Sequence, residues 1–106
     1  ERFDGIFIQA VLLHIPKDDI TKTTNKLFGV LKPGGYLYVA VKEKKLLGSE
    51  EEIKKENDYG YPYERFFSYF TLSEIKNLMK ELGLKISYEN IAPYGHTRWI
   101  QVIGKK

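Results

Sequence analysis

His14 is the residue of this 106-residue chain whose type best suits proton transfer, because an imidazole titrates close to neutral pH. It follows a nearly continuous apolar run from Phe3 to Leu13, which only Asp4, Gly5 and Gln9 interrupt. Its ring could remove a proton from a reacting nucleophile. It could equally anchor the next loop and helix start through a hydrogen bond to the backbone. His14 is therefore a candidate catalytic base with a structural alternative.

Aromatic residues are densest between positions 59 and 70. They could wall a substrate pocket as part of a lid, or pack a long connection onto the rest of the fold. We interpret Phe67 and Phe70 as packing residues. Tyr61, Tyr63 and Arg65 are the candidate substrate contacts.

The two histidines lie far apart in the sequence, and the chain contains no cysteine. No metal site is predicted from them, because a structural or catalytic metal centre needs several such ligands close together. His96 and Arg98 lie in a predicted turn, where they could contact an acidic substrate. A solvated turn is the interpretation that we favour.

Composition argues against several classes of function. The 17 basic and 14 acidic side chains give a net charge of +3, and the densest charged stretch, 42–56, alternates in sign, so a nucleic-acid interface is not expected. No apolar run approaches the roughly 20 residues that span a bilayer. The absence of cysteine is compatible with a reducing cytoplasm, where we expect the protein to be located. Because the chain begins with Glu1 rather than methionine, we expect truncation or processing.

Periodicity and turn chemistry predict the elements that must position these residues. A strand is predicted over 3–9, and then a helix with Asp18 or Asp19 as its N-cap, which ends at a Pro33-Gly34-Gly35 hinge where both glycines can take positive φ. A second strand follows over 36–41. A connection over about 43–66 has no sustained period. A capping box then predicts a helix over 72–82, followed by strands over 84–88 and 99–103.

This order predicts one α/β domain over residues 1–106. Right-handed crossovers place both helices on one face if the first three strands advance across the sheet in one direction. The other face is then bare, and another copy of the chain could cover it. The last strand should be antiparallel, either at the edge beside the third strand or between the second and third. Parallel strands hold ligands at their carboxyl ends, here Gln9, Ala10 and Val11 after the first strand, and Lys42 and Glu43 after the second.

The segments resemble the carboxyl-terminal half of class I S-adenosylmethionine-dependent methyltransferases. The resemblance rests on residues 3–6, 11–16 and 31–41, on FFSYFTLSEIKNLMKELGL and on the closing WIQVIGKK, and it leaves out only about 44–64. It implies a partial Rossmann-like sheet containing strands four to seven, in the order 4-5-7-6 with the last strand antiparallel. It also implies S-adenosylmethionine as the parent's cofactor, with Gln9, Ala10 and Val11 lining it. The alternative is that Ala10 and Val11 belong to the core and Gln9 caps a loop.

The resemblance omits the glycine-rich loop and the acidic residue that hold the cofactor in this family. Gly34 and Gly35 precede a strand, which is the opposite polarity to a cofactor loop. The isolated chain is therefore expected to be inactive, and to associate with itself through its bare sheet face or first-strand edge. The alternative function is a noncatalytic interaction module that completes a partner's sheet. The methyl acceptor is not predicted.

Overall fold

A computed structural model describes residues 2–57 and 59–106, which form a four-stranded sheet, a two-stranded sheet, two α-helices and one 3-10 turn (Leu12–His14). The strands are β1 (Phe3–Gln9), β2 (Leu31–Lys42), β3 (Glu51–Glu56), β4 (Tyr63–Ser68), β5 (Lys85–Tyr94) and β6 (Thr97–Lys105), and the helices are α1 (Lys17–Gly29) and α2 (Leu72–Glu81). The larger sheet has the order β1-β2-β6-β5, with β1 and β2 parallel and β6 antiparallel to both of its neighbours. The predicted α/β class is confirmed, and the last strand lies inside the sheet.

One face of this sheet forms the core with both helices. Side chains alternate along a strand, so Leu37, Val39 and Val41 of β2 point to the same face. They are almost fully buried in one cluster with Ile20 of α1 and Ile75 of α2. Burial of each such aliphatic side chain stabilises the fold by roughly 1.5 to 3 kcal/mol. The shared core places the two helices on the same side of the sheet.

The opposite face of the sheet is uncovered and aromatic. Phe7 is 68% exposed, and Tyr36 and Tyr88 are each 46% exposed. Phe7 stacks on Tyr38 with 4.4 Å between the ring centroids. A shallow groove of about 480 Å³ lies over these rings. Large exposed apolar patches on a soluble protein usually mark an interaction surface.

The Pro-Gly-Gly hinge lies inside β2 rather than between a helix and a strand. The pairing of β1 with β2 jumps from Phe3↔Leu31 to Gly5↔Tyr36, so residues 32–35 bulge out of the register. Of the two hinge glycines, Gly34 alone has a positive φ, of +83°, and its N–H donates to the carbonyl of Lys106 at 2.7 Å. Gly35 does not use the positive φ that is open to a glycine, and its lack of a side chain serves the close approach of the Asp4 carbonyl oxygen.

Two other local predictions require correction. Pro16 occupies the N-cap position of α1, and Asp18 and Asp19 lie in the first turn, where their charges favour the positive end of the helix dipole. The connection predicted over 43–66 contains the β3–β4 hairpin. Its first strand, EEIKKE, lacks the alternation that reveals a half-buried strand. Glu1, and Asp58 within the predicted connection, lie outside the described residues.

The helix and the two strands predicted in the carboxyl-terminal part of the chain are confirmed, and both strands are longer than predicted. Thr71 and Glu74 form the capping box reciprocally, and α2 ends at Glu81, one residue before its predicted end. Strands β5 and β6 extend well beyond 84–88 and 99–103, so only Gly95 and His96 remain between them.

Candidate ligand site at the carboxyl edge of the sheet

The carboxyl ends of β1, β2 and β5 share one edge of the sheet, because these three strands are parallel to one another. Open α/β sheets bind their ligands at this edge. At the end of β1, Ala10 has a φ of +57°, and its N–H donates to the carbonyl of Ala40 at 3.1 Å. A non-glycine residue in this conformation costs about 1 kcal/mol or more and is often found beside a ligand. Gln9 and Val11 are exposed on either side of it.

Both ring nitrogens of His14 are engaged by the hairpin. Nδ1 lies 2.8 Å from the carbonyl oxygen of Phe66, and Nε2 lies 3.1 Å from Nη2 of Arg65. Because a carbonyl only accepts and a guanidinium only donates, Nδ1 carries the proton and Nε2 accepts from Arg65. The lone pair that a general base would use is therefore occupied. This geometry favours the anchoring alternative, and a catalytic role for His14 stays a prediction.

Tyr63 and Arg65 are joined through one carboxylate. Glu56 accepts a hydrogen bond from the Tyr63 hydroxyl and another from Nη1 of Arg65, each at 3.0 Å. Hydrogen bonds to Tyr63 and Glu56 raise the pKa of Arg65 above its usual value. Tyr61 is more exposed, and its ring lies 6.0 Å from that of Tyr63. The structure thus brings His14, Tyr63 and Arg65 together, with Tyr61 beside them.

Three cations surround the buried ring of Phe67, which is 3% exposed. Nζ of Lys42 lies 4.7 Å from its centroid, Nζ of Lys54 lies 5.6 Å away, and Cζ of Arg65 lies 5.2 Å away. We call Lys42, Lys54 and Arg65 the cation cluster. Its members come from β2, β3 and β4, so the hairpin assembles it at the end of β2.

Lys42 is the least compensated member of the cation cluster. Within residues 2–57 and 59–106, its ammonium makes no hydrogen bond or ion pair, and its contacts are the faces of Phe67 and, at 5.8 Å, Trp99. Partial burial lowers the pKa of Lys42, and the positive charges of Lys54 and Arg65 lower it further. The chain therefore holds an ammonium where its charge is disfavoured.

A groove of about 760 Å³ opens beside Lys42. It is lined on one side by His96 of the β5–β6 turn and Arg98 of β6, and on the hairpin side by Glu52, Lys54 and Tyr69. Burial and a hydrogen bond to Glu52 raise the pKa of Tyr69, so its hydroxyl remains a donor at neutral pH. In the part of the chain that is described, no cluster of His, Cys, Asp or Glu could hold a metal ion.

Lys42 and Glu43 were predicted from the sequence at the carboxyl end of the second strand, and both line the groove, but the residues that the hairpin contributes were not predicted. Glu52, Lys54 and Tyr69 reach the groove only because the unpredicted hairpin folds back onto the end of β2. The backbone N–H of Phe70 donates to the carbonyl of Lys42 at 3.0 Å, and that of Lys44 donates to Phe70 at 2.7 Å. His96 and Arg98 are exposed, as the solvated-turn interpretation predicted, and both also line the groove.

Lys42→Met is expected to leave the free energy of unfolding at pH 7 unchanged or raised, with any loss below about 0.5 kcal/mol. Methionine keeps an unbranched stem and contacts with both rings, while the repulsion from Lys54 and Arg65 disappears. Urea denaturation followed by the fluorescence of the single tryptophan, Trp99, measures this. A loss of about 1 kcal/mol or more would contradict an uncompensated ammonium.

The sign of the pH dependence follows from the lowered pKa of Lys42. As pH rises, the folded chain releases this proton before the unfolded chain, whose lysine titrates near 10.5. The unfolded state then binds more protons, so the wild-type chain gains stability relative to Lys42→Met up to that pH. The advantage of the variant should therefore shrink between pH 7 and pH 10.5 in the same denaturation experiment. An advantage that grows over this range would contradict the assignment.

A family profile and a set of solved structures match this chain. A sequence profile described as a methyltransferase domain matches residues 1–89. A comparison with curated protein sequences gave no match.

No helix within the described residues is long and apolar enough to cross a membrane.

Solved structures with a similar fold are methyltransferases by their descriptions. One is an S-adenosylmethionine-dependent methyltransferase from Methanosarcina mazei, with a TM-score of 0.81 and 19% identity over 98% of this chain and 59% of that chain. Another is the 1,6-didemethyltoxoflavin-N1-methyltransferase of Burkholderia thailandensis with bound 1,6-didemethyltoxoflavin and S-adenosylhomocysteine, with a TM-score of 0.76 and 17% identity over 99% of this chain and 44% of that chain. A third, from Clostridium acetobutylicum, has a TM-score of 0.73 and 15% identity over 99% of this chain and 58% of that chain. These likenesses show a shared fold, and the chain spans between 44% and 59% of these three structures.

Proposed function

Because the chain belongs to the methyltransferase domain family, we propose that it is the carboxyl-terminal half of an S-adenosylmethionine-dependent methyltransferase. The match of the family profile over residues 1–89 is the observation that carries this proposal. The fold supports it, since β1, β2, β6 and β5 correspond on this proposal to strands four, five, seven and six of the parent sheet. The parent protein would transfer a methyl group to an acceptor that carries a nucleophilic oxygen, nitrogen or carbon.

Gln9, Ala10 and Val11 are the residues of this chain that we assign to the cofactor. They fit a lining role, because Gln9 and Val11 are exposed at the carboxyl edge and Ala10 has the positive φ that ends β1 there. S-adenosylmethionine would supply the methyl group when bound. The chain itself lacks a glycine-rich loop between a strand and a helix, so we propose that these three residues do not hold the cofactor alone and that the isolated chain is inactive.

The remaining sequence candidates take supporting roles in this proposal. His14 and Arg65 hold the hairpin against the turn that follows β1, through the bonds to Phe66 and between their own side chains. Tyr61 and Tyr63 lie on the same hairpin and are the proposed contacts to the acceptor. A proton taken up by His14 would have to replace the bond from Arg65, so positioning is the role that its geometry supports best.

Two measurements on the protein from its native source test the proposal: its intact mass and its binding of the cofactor product. We expect an intact mass about twice that of this 12.4 kDa chain, and saturable binding of S-adenosylhomocysteine by isothermal titration calorimetry. The 106-residue chain by itself should show no saturation in the same titration. Native protein of the larger mass that fails to bind S-adenosylhomocysteine would overturn the methyltransferase assignment.

A noncatalytic interaction module is the second candidate function. The specific observation in its favour is that β1 lies at an edge of the sheet next to the uncovered aromatic face. An unpaired strand edge can pair with another chain, and an exposed apolar face adds area to such a contact. A native protein whose mass equals that of this chain would favour this candidate.

The isolated chain is expected to self-associate through the uncovered face or the β1 edge. Light scattering after gel filtration should report a mass near twice 12.4 kDa at micromolar concentration. Phe7→Lys should convert a face-to-face dimer to a monomer, since it places a charge among the exposed rings. Leu47→Lys is the matched control, because Leu47 is 98% exposed in a loop away from the sheet. A dimer that survives Phe7→Lys points to the β1 edge, and a wild-type monomer contradicts self-association.

A further inference from the structure

The groove at the end of β2 is lined by more cationic than anionic side chains. The groove is lined by two carboxylates, Glu43, which is paired with Arg98, and Glu52, and a third, Glu56, lies beside the cation cluster. Glu52 accepts from the hydroxyl of Tyr69 and lies 3.8 Å from Nζ of Lys54, and Glu56 accepts from Tyr63 and Arg65. In the described part of the chain, none of these carboxylates pairs with Lys42.

The N–H donors of the Lys42 ammonium have no hydrogen-bond partner among the described residues. The stem of Lys42 is half-buried and its ammonium lies between the faces of Phe67 and Trp99, so its position is set by packing rather than by a partner charge. An ammonium has three N–H donors and no acceptor. An anion entering the groove would satisfy these donors and relieve the repulsion among the cation cluster.

The opposite wall of the groove carries further N–H donors for an anion. Arg98 is 60% exposed along its side chain, and among the described residues only its Nε has a partner, in an ion pair with Glu43 at 3.1 Å. The other nitrogens of a guanidinium can donate to a second oxyanion. Tyr69 also lines the groove, and its hydroxyl donates to Glu52. The volume of about 760 Å³ falls within the range of small-molecule sites, roughly 300 to 1,000 Å³.

We propose that this groove is an oxyanion site that binds the carboxylate or phosphate group of a small molecule through Lys42, Lys54 and Arg98. The identity of that molecule rests on the proposed function: if the function holds, the molecule is the methyl acceptor. The groove is suitably placed, since Gln9 pairs with Ala40 and Lys42 lies two residues further along β2. The anionic group would then hold the acceptor at the same sheet edge as the residues assigned to the cofactor.

Titration of the ¹⁵N-labelled chain with inorganic phosphate, and separately with malonate, tests the site at constant ionic strength maintained with sodium chloride. Saturable amide shifts are expected near Lys42, Lys54 and Arg98 with at least one of the two anions, and the tighter ligand identifies phosphate or carboxylate as the preferred group. Lys42→Met should weaken binding about tenfold, the loss expected for one charge-assisted contact. Lys22→Met is the matched control, because Lys22 is exposed on α1 and should bind like the wild type.

A second variant tests the charge balance of the groove. Glu52→Gln removes a negative charge while keeping an acceptor for Tyr69, so it should tighten phosphate binding two- to fivefold, about the size expected of an exposed charge. Linear, unsaturated shifts with both anions would overturn the site, as would equal affinities of Lys42→Met and the wild type. Binding of S-adenosylhomocysteine by the native protein is a separate readout, so failure of the anion site and failure of the methyltransferase proposal are distinguishable.

Discussion

Phe67→Ala is expected to lower the free energy of unfolding by about 3 to 5 kcal/mol, a large part of the total for a small domain. The ring is 3% exposed, and it packs against His14 at 4.8 Å and Tyr69 at 6.2 Å between centroids. Its loss leaves a cavity and removes the surface on which the cation cluster rests. The three cations would then repel one another without the ring that they share.

Urea denaturation followed by Trp99 fluorescence measures this loss, and amide hydrogen exchange locates it. Exchange should accelerate first in β3 and β4, because the hairpin lies outside the main core cluster and is held by few anchors. Ile53→Ala in β3 is the matched control, since Ile53 is 65% exposed and should change stability by less than about 0.5 kcal/mol. Equal losses in the two variants would show that Phe67 does not hold the hairpin.

Gly35→Ala is expected to lower the free energy of unfolding by about 2 to 3 kcal/mol. A Cβ at this position would lie 2.7 Å from the carbonyl oxygen of Asp4, 2.8 Å from Cδ1 of Leu31 and 2.9 Å from the carbonyl oxygen of Lys32. Two of these atoms belong to the backbone where β1 and β2 change register, so they cannot move independently of the sheet. The carbonyl of Gly35 also accepts from the N–H of Lys106 at 2.9 Å, so a shift here loosens the end of the chain as well.

The same denaturation experiment measures this prediction, with Gly29→Ala as its control. Gly29 is helical, and a Cβ there meets nothing within 4 Å. Alanine favours a helix by roughly 0.5 to 1 kcal/mol over glycine, so the control should be as stable as the wild type or more stable. If Gly35→Ala behaved like the control, the close approach of β1 to the hinge would be disproved.

The predicted variants distinguish residues that stabilise the fold from residues whose charge is available to a ligand. Phe67 and Gly35 are predicted to be costly to change, whereas Lys42 is predicted to be replaceable by methionine without loss of stability. A side chain whose charge does not help folding, but which lies at the ligand edge of an α/β sheet, is a candidate for binding. The comparison of Lys42→Met in stability and in phosphate titration therefore bears directly on the oxyanion site.

Residues that are neighbours in the chain determined much of the fold by themselves. The reciprocal capping box of Thr71 and Glu74 was readable because it involves two residues three positions apart. The bounds of β1 followed from a continuous apolar run, and the antiparallel β5–β6 pair followed from a short turn. The sheet-edge rule located Lys42, because only the polarity of β2 was required.

Tertiary structure alone decided how the candidate site is assembled. The charged β3 strand has no apolar alternation, so the hairpin is stabilised by Phe67, by the bond from Ser68 to the carbonyl of Ile15 at 2.6 Å, and by the bonds of His14. The sequence identified His14, but the assignment of both of its nitrogens needed partners more than 50 positions away. The cation cluster likewise joins three strands. Contacts between residues distant in sequence depend on packing, which local periodicity does not report.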